Sequence, residues 1–220
     1  MKQNIAFKNQ EDTKSNLINL NKIIIPQGTK TICESAYENF FNLTSVTIPN
    51  TVETIEDSAF AGCSNLTSIN IPDSVENIGE CAFASCSKLT NITIPHGIRI
   101  IRDFTFTCLT NLTSVTIPNT VEFIKYGAFQ DCVNLSNVII PDSVSVIHNS
   151  AFANCVSLTN IVIPNSVRTI KKYSFKNCIN LTTITIPDSV KIIEKDAFEG
   201  CINLKNIIAS KEIIDNFFTN

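Results

Sequence analysis

Tryptophan is absent from this 220-residue chain, and methionine, histidine and glycine occur only once, twice and six times. No apolar run approaches the roughly 20 residues that a bilayer span needs. Charged residues make up 17% and the formal net charge is −3, so the positive excess expected of a nucleic-acid binder is missing. No GxSxG, P-loop, GxGxxG or HExxH motif occurs. These absences predict a protein that is not an enzyme, takes no cofactor and binds neither nucleic acid nor a membrane through a span.

What the chain has instead is a strict internal repeat, the first feature to seek in any sequence. Every proline lies 23 residues from the next, at Pro26, Pro49, Pro72, Pro95, Pro118, Pro141, Pro164 and Pro187. Further columns keep the same register. Leucine recurs from Leu20 to Leu204, an aromatic residue from Tyr37 to Phe198, and a mostly cysteine column follows three residues after each aromatic. Eight full units run from residue 20 to 203, and a partial ninth begins at Leu204.

The unit 43–65, LTSVTIPNTVETIEDSAFAGCSN, shows what each repeat should form. Val46 and Ile48 alternate with polar residues, which is the period-2 pattern of a half-buried strand. Pro49 ends that strand, because proline has no N–H to donate to a ladder. The second half drifts toward helical spacing, which predicts an extended segment and one short helical turn. Equivalent strands of successive repeats should pair in parallel, about 4.8 Å apart.

The repeat also divides the chain. We expect an N-terminal segment at residues 1–16, a solenoid at 17–209 and a C-terminal cap at 210–220. The cap has apolar residues at helical spacing behind Ser210, a favourable helix N-cap. Residues 1–16 lack the apolar stretch of a secretory signal, which by itself predicts a cytoplasmic protein.

The pattern LxxIxIPxxVxxIxxxAFxxC resembles the BspA-like leucine-rich repeats, also called the Treponema pallidum type, over about residues 17–208. The resemblance implies an α/β repeat solenoid, a right-handed superhelix with a concave parallel sheet. It also implies adhesion or recognition at a cell surface, whereas the missing signal favours a cytoplasmic scaffold; the sequence leaves both locations open.

Two departures from the family pattern carry predictions. Glycine follows the second isoleucine only at Gly79, so the backbone of that column should suit ordinary residues. The buried asparagine of other leucine-rich repeats is missing from its expected column. Mostly small hydroxyl residues stand there, and we predict that they bond the turn backbone instead. The column comprises Gly28, Thr51, Ser74, Gly97, Thr120, Ser143, Ser166 and Ser189.

The nine cysteines favour a packing role over disulfides or zinc. Six share a column with Phe40 and Leu109, which predicts buried free thiols; they are Cys63, Cys86, Cys132, Cys155, Cys178 and Cys201. Paired CxxC motifs and cysteine–histidine clusters are absent, so no metal site is expected. The off-column Cys33, Cys81 and Cys108 are either incidental substitutions near the surface or redox-sensitive thiols.

The strand residues that point away from the core form the predicted partner-binding surface. They are Ser45, Thr47, Ser68, Asn70, Asn91, Thr93, Ser114, Thr116, Asn137, Ile139, Asn160, Val162, Thr183 and Thr185, continued by Asn206 and Ile208. None is charged. Ile139 and Val162 either mark the ligand contact or merely reflect the strand propensity of branched residues.

Charge is instead sorted along the chain: residues 31–80 hold eight acids and no Lys or Arg, and residues 166–195 hold six Lys or Arg against two acids.

These features predict a recognition module that binds a protein, such as a host-matrix or cell-surface protein, as a monomer or with weak self-association. The alternative is a structural protein that self-associates through the solenoid ends or edges. Six Asn-x-Ser/Thr sequons occur, at Asn42, Asn65, Asn91, Asn111, Asn134 and Asn180, and all except Asn91 are interpreted as by-products of the N-L-T/S junction that recurs before the leucine column.

Overall fold

The computed structural model describes residues 19–217, which form a parallel-sheet solenoid of stacked coils. Each coil corresponds to one repeat, so that coil 1 covers residues 20–42 and coil 8 residues 181–203. The register between paired strands is 23 residues, as in Val46 against Ile69 and Ile124 against Ile147. The repeat length therefore equals one turn of the solenoid, as predicted.

Each coil contributes one strand to each of two sheets, which we call the first sheet and the second sheet. The first sheet contains β1 (Lys22–Ile24), β3 (Ser45–Thr47), β5 (Ser68–Asn70), β7 (Asn91–Thr93), β9 (Ser114–Thr116), β11 (Asn137–Val138), β13 (Asn160–Val162), β15 (Thr183–Thr185) and β17 (Asn206–Ile208). The second sheet contains β2 (Thr31–Ile32), β4 (Thr54–Ile55), β6 (Asn77–Ile78), β8 (Ile100–Ile101), β10 (Phe123–Ile124), β12 (Val146–Ile147), β14 (Thr169–Ile170) and β16 (Ile192–Ile193).

Neither sheet is continuous, which corrects the expectation that every strand pairs with the next repeat. The first sheet consists of three three-stranded ladders, because no pairing joins β5 to β7 or β11 to β13 among the described residues. The second sheet divides into a three-stranded ladder, β2–β4–β6, and a five-stranded ladder, β8 to β16. Both sheets are thus interrupted between coils 3 and 4.

Outside the strands, backbone hydrogen bonds still join coils 3 and 4. In coil 3, Cys81 and Phe83 donate their N–H groups to the carbonyls of Asp103 and Thr105 in coil 4, at 3.1 and 3.0 Å. Coil 4 also places Thr105 in a column that otherwise holds Ala or Ser, and Leu109 in the cysteine column. Both changes add core side-chain volume at the coil where strand pairing is lost.

The second half of each coil is a run of turns, so the expected short helical turn is wrong. Alternate N–H groups bond within the coil and to the next coil; Phe60 donates to Ala82 at 2.8 Å, and Ala61 to Ser58 at 3.0 Å. This alternation needs two left-handed residues in every coil, four positions apart, such as Ser58 (φ 54°) and Gly62 (φ 73°). The second of these columns is mostly Asn, Asp or Gly, which adopt that conformation most easily. Cys81 and Cys108 also stand in left-handed positions.

Aromatic rings stack along the whole solenoid beneath these turns. Neighbouring rings from Tyr37 to Phe198 have centroids 5.3–5.8 Å apart and lie within 18° of parallel. Offset stacking at this separation is a favoured arrangement of aromatic pairs. A leucine column from Leu43 to Leu181 is fully buried beside the stack. The core is therefore a set of one-residue columns, and each coil buries its neighbours' side chains.

The cysteine column is buried as predicted in five of its six positions, while Cys201 in coil 8 is partly exposed. Each thiol donates to a carbonyl of the preceding coil, as from Cys132 Sγ to Phe106 O at 3.2 Å. Burial raises the pKa of Cys132 to about 12 and the pKa of Cys155 well above its ordinary value. A hydrogen bond from Cys178 lowers the pKa of Cys201. All nine cysteines are free; Cys33 is exposed, and Cys81 and Cys108 are half-buried.

The hydroxyl column behaves as predicted at four positions. Thr51, Ser74, Thr120 and Ser143 donate to carbonyls of the preceding coil at 2.5–2.9 Å. The prediction is wrong for Ser166 and Ser189, whose Oγ atoms are buried without a hydrogen-bond partner among the described residues.

In the column that contains Gly79, the other coils hold residues with side chains. At Gly79 itself there is no room for a side chain. A Cβ there would lie 2.4 Å from Asp57 N and 2.6 Å from Glu56 C.

After the last strand the chain forms the helix α1 (Lys211–Phe217), directly behind Ser210. Ile213 is buried and belongs to the same core as the coils, while Glu212 lies in the first turn, where a negative charge is favourable. A capping role for residues 210–220 stays a prediction. The expected N-terminal segment at residues 1–16 and the expected start of the solenoid at residue 17 lie outside the described residues. Within residues 19–217, no helix is both long and apolar enough to cross a bilayer.

Candidate binding surface

The outward side chains of the first sheet, which we call the first-sheet face, lie where the sequence predicts them. Within each strand the middle residue points to the core and its two neighbours point outward, as the pattern exposed–buried–exposed shows for β7, β9 and β13. Of the predicted partner-binding residues, which are all described, only Asn91 uses its side chain in a hydrogen bond, to Thr90 Oγ1 at 3.4 Å. The other hydroxyls and amides therefore keep their donors and acceptors available to a ligand.

The apolar part of this face is prominent. Ile139 is 74% exposed and Val162, in the next coil, is 63% exposed. These two side chains stand where β11 ends one residue early and does not pair with β13. Ile208, two coils further on, is 51% exposed. Isolated exposed aliphatic residues are ordinary, but these occupy one outward column within four successive coils.

The structure adds a ninth strand to the face, which the sequence reading left out. β1 contributes Lys22 and Ile24, and Ile24 is 40% exposed. The face therefore carries one positive charge at its N-terminal end and is uncharged from β3 to β17. At about 4.8 Å between strands, the nine strands extend over roughly 38 Å.

A row of hydroxyls borders this face on the side where each strand begins. Thr44, Thr67, Thr113 and Thr182 donate through Oγ1 to the carbonyl of the equivalent residue one coil earlier, at 2.7–3.2 Å. Asparagines at the same border bond in a similar way: Asn65 and Asn134 each donate through Nδ2 to a carbonyl of the preceding coil. These bonds fix the border side chains, so that the face is held on a rigid frame.

Opposite charges pair across neighbouring coils on the lateral surface. Lys30 bonds Glu53, Arg99 bonds Glu122 at 2.8 Å, and Lys171 bonds Glu194 at 2.7 Å, each 23 residues apart. Lys172 and Lys176 likewise contact Asp196 and Glu199, at 3.7 and 3.1 Å. The basic C-terminal region is therefore partly neutralised by acids of coil 8, whereas the eight acids of residues 31–80 have no Lys or Arg among them.

The two histidines lie at different points of the repeat. His96 follows the proline of coil 4, and His148 follows strand β12 in coil 6. Across the described residues, no three His, Cys, Asp or Glu side chains are grouped so that they could hold a metal ion.

Comparison with known proteins agrees with this architecture. The BspA-type leucine-rich repeat region matches in six copies, over residues 10–136 and 122–220. No curated protein matches the chain. A leucine-rich cell surface protein from Faecalibacterium prausnitzii has a similar structure, with 28% identity, a TM-score of 0.61, and coverage of 91% of this chain and 63% of that protein.

A leucine-rich repeat protein from Bacteroides ovatus is also similar, with 29% identity, a TM-score of 0.69, and coverage of 87% of this chain and 55% of that one. The pneumococcal vaccine antigen PcpA shares the fold at 20% identity and a TM-score of 0.53, with 90% of this chain and 64% of PcpA covered. The chain thus spans under two thirds of the length of these structures. Such repeat proteins are generally not enzymes, and their family suggests protein–protein interaction or a surface role. From the family match over nearly its whole length and the stacked 23-residue coils, the chain belongs to the BspA-type leucine-rich repeat family.

Proposed function

We propose that the chain is a non-catalytic recognition module that binds a protein partner through the first-sheet face. The single observation that carries this proposal is the exposure of Ile139 and Val162 on adjacent coils of a face that is mostly polar and, from β3 to β17, uncharged. Protein interfaces concentrate their binding energy in a few apolar or aromatic anchors surrounded by polar contacts. The face offers that combination on a frame of fixed strands, and its length of roughly 38 Å suits an interface of standard size.

The class of partner follows from the same chemistry. A face without charge from β3 to β17 gives no electrostatic steering, so the partner needs a neutral contact surface with hydrogen-bonding groups and an apolar anchor. The similarity to a leucine-rich cell surface protein supports a place at a cell surface, and a host-matrix or cell-surface protein is the partner that such a place favours. We therefore propose adhesion first and an intracellular scaffold second.

The proposal is tested with the double variant Ile139→Glu/Val162→Glu. Both side chains project into solvent, so the variant should fold with the wild-type urea midpoint, and two buried carboxylates would then weaken partner binding at least about tenfold. Binding is measured to immobilised matrix proteins and to cytosolic proteins in separate arms, which distinguishes an adhesin from a scaffold.

The chain offers a matched control for this experiment. Ile202 is 75% exposed, as much as Ile139, but it lies in the turn before β17 and is not one of the outward strand residues of the first-sheet face. Ile202→Glu should bind within about twofold of wild type. A folded double variant that binds as tightly as Ile202→Glu in every arm would contradict the proposal.

Self-association through the solenoid ends or edges is the second candidate, and the charge sorting along the chain favours it. The acidic region 31–80 of one copy could contact the basic region 166–195 of another. Light scattering at increasing protein concentration tests this reading. A mass that rises with concentration and falls with added salt supports it, and a constant monomer mass contradicts it.

A further inference from the structure

The second sheet has its own outward column, and that column is apolar in one ladder only. In the five-stranded ladder β8 to β16, the first residue of each strand points outward, and these residues are Ile100, Phe123, Val146, Thr169 and Ile192. Ile192 is 50% exposed, and the other four are partly exposed. Four of the five strands thus present a large apolar side chain on the outside of the second sheet, which is separate from the first-sheet face.

Basic residues border this apolar column on both sides. The positions directly before the strands hold Arg99, Glu122, Ser145, Arg168 and Lys191, and the positions directly after them hold Arg102, Lys125, His148, Lys171 and Glu194. These ten bordering positions therefore hold six Lys or Arg and only two Glu. Those two acids are already paired, Glu122 with Arg99 and Glu194 with Lys171. Arg102, Lys125, Arg168 and Lys191 form no ion pair with a described residue.

Two local contacts show how closely cations and apolar groups are mixed here. Lys125 Nζ lies over the ring of Phe123, 5.1 Å from its centroid. His148 follows β12 between Lys125 and Lys171 of the neighbouring coils; burial and then the charge of Lys125 lower its pKa. The Lys125 side chain therefore lies against the apolar column.

The three-stranded ladder β2–β4–β6 provides an internal comparison. Its outward residues are Thr31, Thr54 and Asn77, all polar, and acids such as Glu53 and Glu56 border it. Its inward residues are Ile32, Ile55 and Ile78, and the inward residues of the five-stranded ladder are also isoleucines. The fold therefore does not require an apolar and basic exterior, because three coils form the same sheet without one. The chemistry changes where the ladder is interrupted, between coils 3 and 4.

We propose that the outer surface of the five-stranded ladder is a second docking site, and that its occupant is an extended acidic polypeptide segment of a partner protein with apolar side chains between its carboxylates. Charge complementarity selects an acidic occupant, and the central apolar column selects one that also carries aliphatic groups. The five strands span about 19 Å, a length that about six extended residues cover. A nucleic acid fits less well, since Phe123 is the one aromatic ring in the column and bases need stacking platforms.

The probe is a labelled peptide of about thirteen residues, called the Glu–Val peptide, in which Glu and Val alternate at the odd positions and Ser fills the even ones; an extended chain then presents both Glu and Val to the surface. Binding is followed by fluorescence polarisation. A control peptide with Ser in place of every Val should bind at least about tenfold more weakly, because it cannot fill the apolar column. A control peptide with Lys in place of every Glu should not bind measurably. Binding of the Glu–Val peptide should weaken several-fold between about 50 and 300 mM salt, as expected for solvent-exposed charges.

Ile192→Glu tests the apolar column, and Ile208→Glu is its matched control. The two isoleucines are 50% and 51% exposed and lie in neighbouring coils at the same end of the solenoid, but on different faces. Ile192→Glu should weaken the Glu–Val peptide at least about tenfold, while Ile208→Glu leaves it unchanged. Lys125→Gln, which removes one charge without burying a new one, should weaken it about two- to fivefold.

Three results would overturn the inference: no binding of the Glu–Val peptide at about 1 mM, equal binding by wild type and folded Ile192→Glu, or tighter binding of an oligothymidylate or anionic phospholipid vesicles than of the peptide. The two sites are tested with different variants: Ile192→Glu and Lys125→Gln test this docking site, and Ile139→Glu/Val162→Glu tests the first-sheet face. Failure of one proposal can therefore be distinguished from failure of the other.

Discussion

Removing one ring from the aromatic stack should cost far more than removing an exposed ring of the same kind. Phe129 is fully buried and stacks on Phe106 at 5.5 Å and on Phe152 at 5.4 Å. Truncating a buried phenylalanine to alanine typically costs about 3–5 kcal/mol, through lost transfer free energy and the cavity that remains. The two ring pairs contribute about 0.5–1.5 kcal/mol each within that figure. We therefore expect Phe129→Ala to lower the free energy of unfolding by about 4 kcal/mol.

Phe41→Ala is the control, because Phe41 is 50% exposed and lies outside the stack. It should cost about 1 kcal/mol or less, since half of the ring is already hydrated. Urea unfolding is followed by far-UV circular dichroism and by limited proteolysis, because repeat arrays can lose two-state behaviour and the two midpoints must agree. A loss below about 1 kcal/mol for Phe129→Ala, or equal losses for the two variants, would refute the view that the stack holds the coils together.

Three further substitutions or modifications follow from the turns and the thiols. Ser58→Gly should stabilise the chain by about 0.5–1 kcal/mol, because relief of the left-handed backbone outweighs the added entropy of the unfolded chain. Ser45→Gly in strand β3 should destabilise it by about the same amount. The urea midpoint should therefore rise for Ser58→Gly and fall for Ser45→Gly, and shifts in the same direction would contradict this. Gly79→Ala should lower the unfolding free energy by about 1–3 kcal/mol, since its Cβ would meet backbone atoms of coil 2; an unchanged urea midpoint would show that the backbone gives way. In native protein, a thiol reagent should label the exposed Cys33, whereas Cys132, which is buried and has its pKa raised to about 12, stays protonated and unlabelled; rapid labelling of Cys132 by mass spectrometry would contradict its burial.

The repeat made much of the fold predictable, because a fixed period leaves only one way to place equivalent residues. The alternation around Val46 and Ile48 predicted strand β3 and its outward residues, and the leucine and proline columns predicted the register. The cysteine column was recognised as core, since it also accepts Phe40 and Leu109. Cys201 is the exception, because it lies in the last full coil, where burial from the following coil is incomplete.

The turn segment was mispredicted because its apolar spacing imitates a helix. Ala59, Phe60 and Cys63 are spaced as on a helical face, yet left-handed residues between them produce that spacing without helical bonds. A signal for this was present in the column of Asn39, Gly62, Ser85, Cys108, Asp131, Asn154, Asn177 and Gly200, which is rich in residues that adopt positive φ.

The apolar exterior of the second sheet was missed for a different reason. Its strands are two residues long, so that one outward residue such as Phe123 shows no alternation that a sequence window could detect. The interruption between coils 3 and 4 was also beyond the sequence, because equivalent strand residues stand on both sides of it. The repeat predicts which residues are equivalent from coil to coil, but it does not predict between which coils the strands stop pairing.

Site-resolved hydrogen exchange tests most directly the claim that turn bonds and core columns hold every coil to the next, even where strand pairing is lost. Phe83 donates its amide to Thr105 across the interrupted boundary, while Arg102 donates its amide to no described backbone carbonyl there. The account predicts that the Phe83 amide is as protected as that of Phe129, which lies between fully paired coils, and that Arg102 exchanges at least about a hundredfold faster. Exchange of Phe83 as fast as Arg102 would show that the solenoid is split into two independent stacks and would contradict the account.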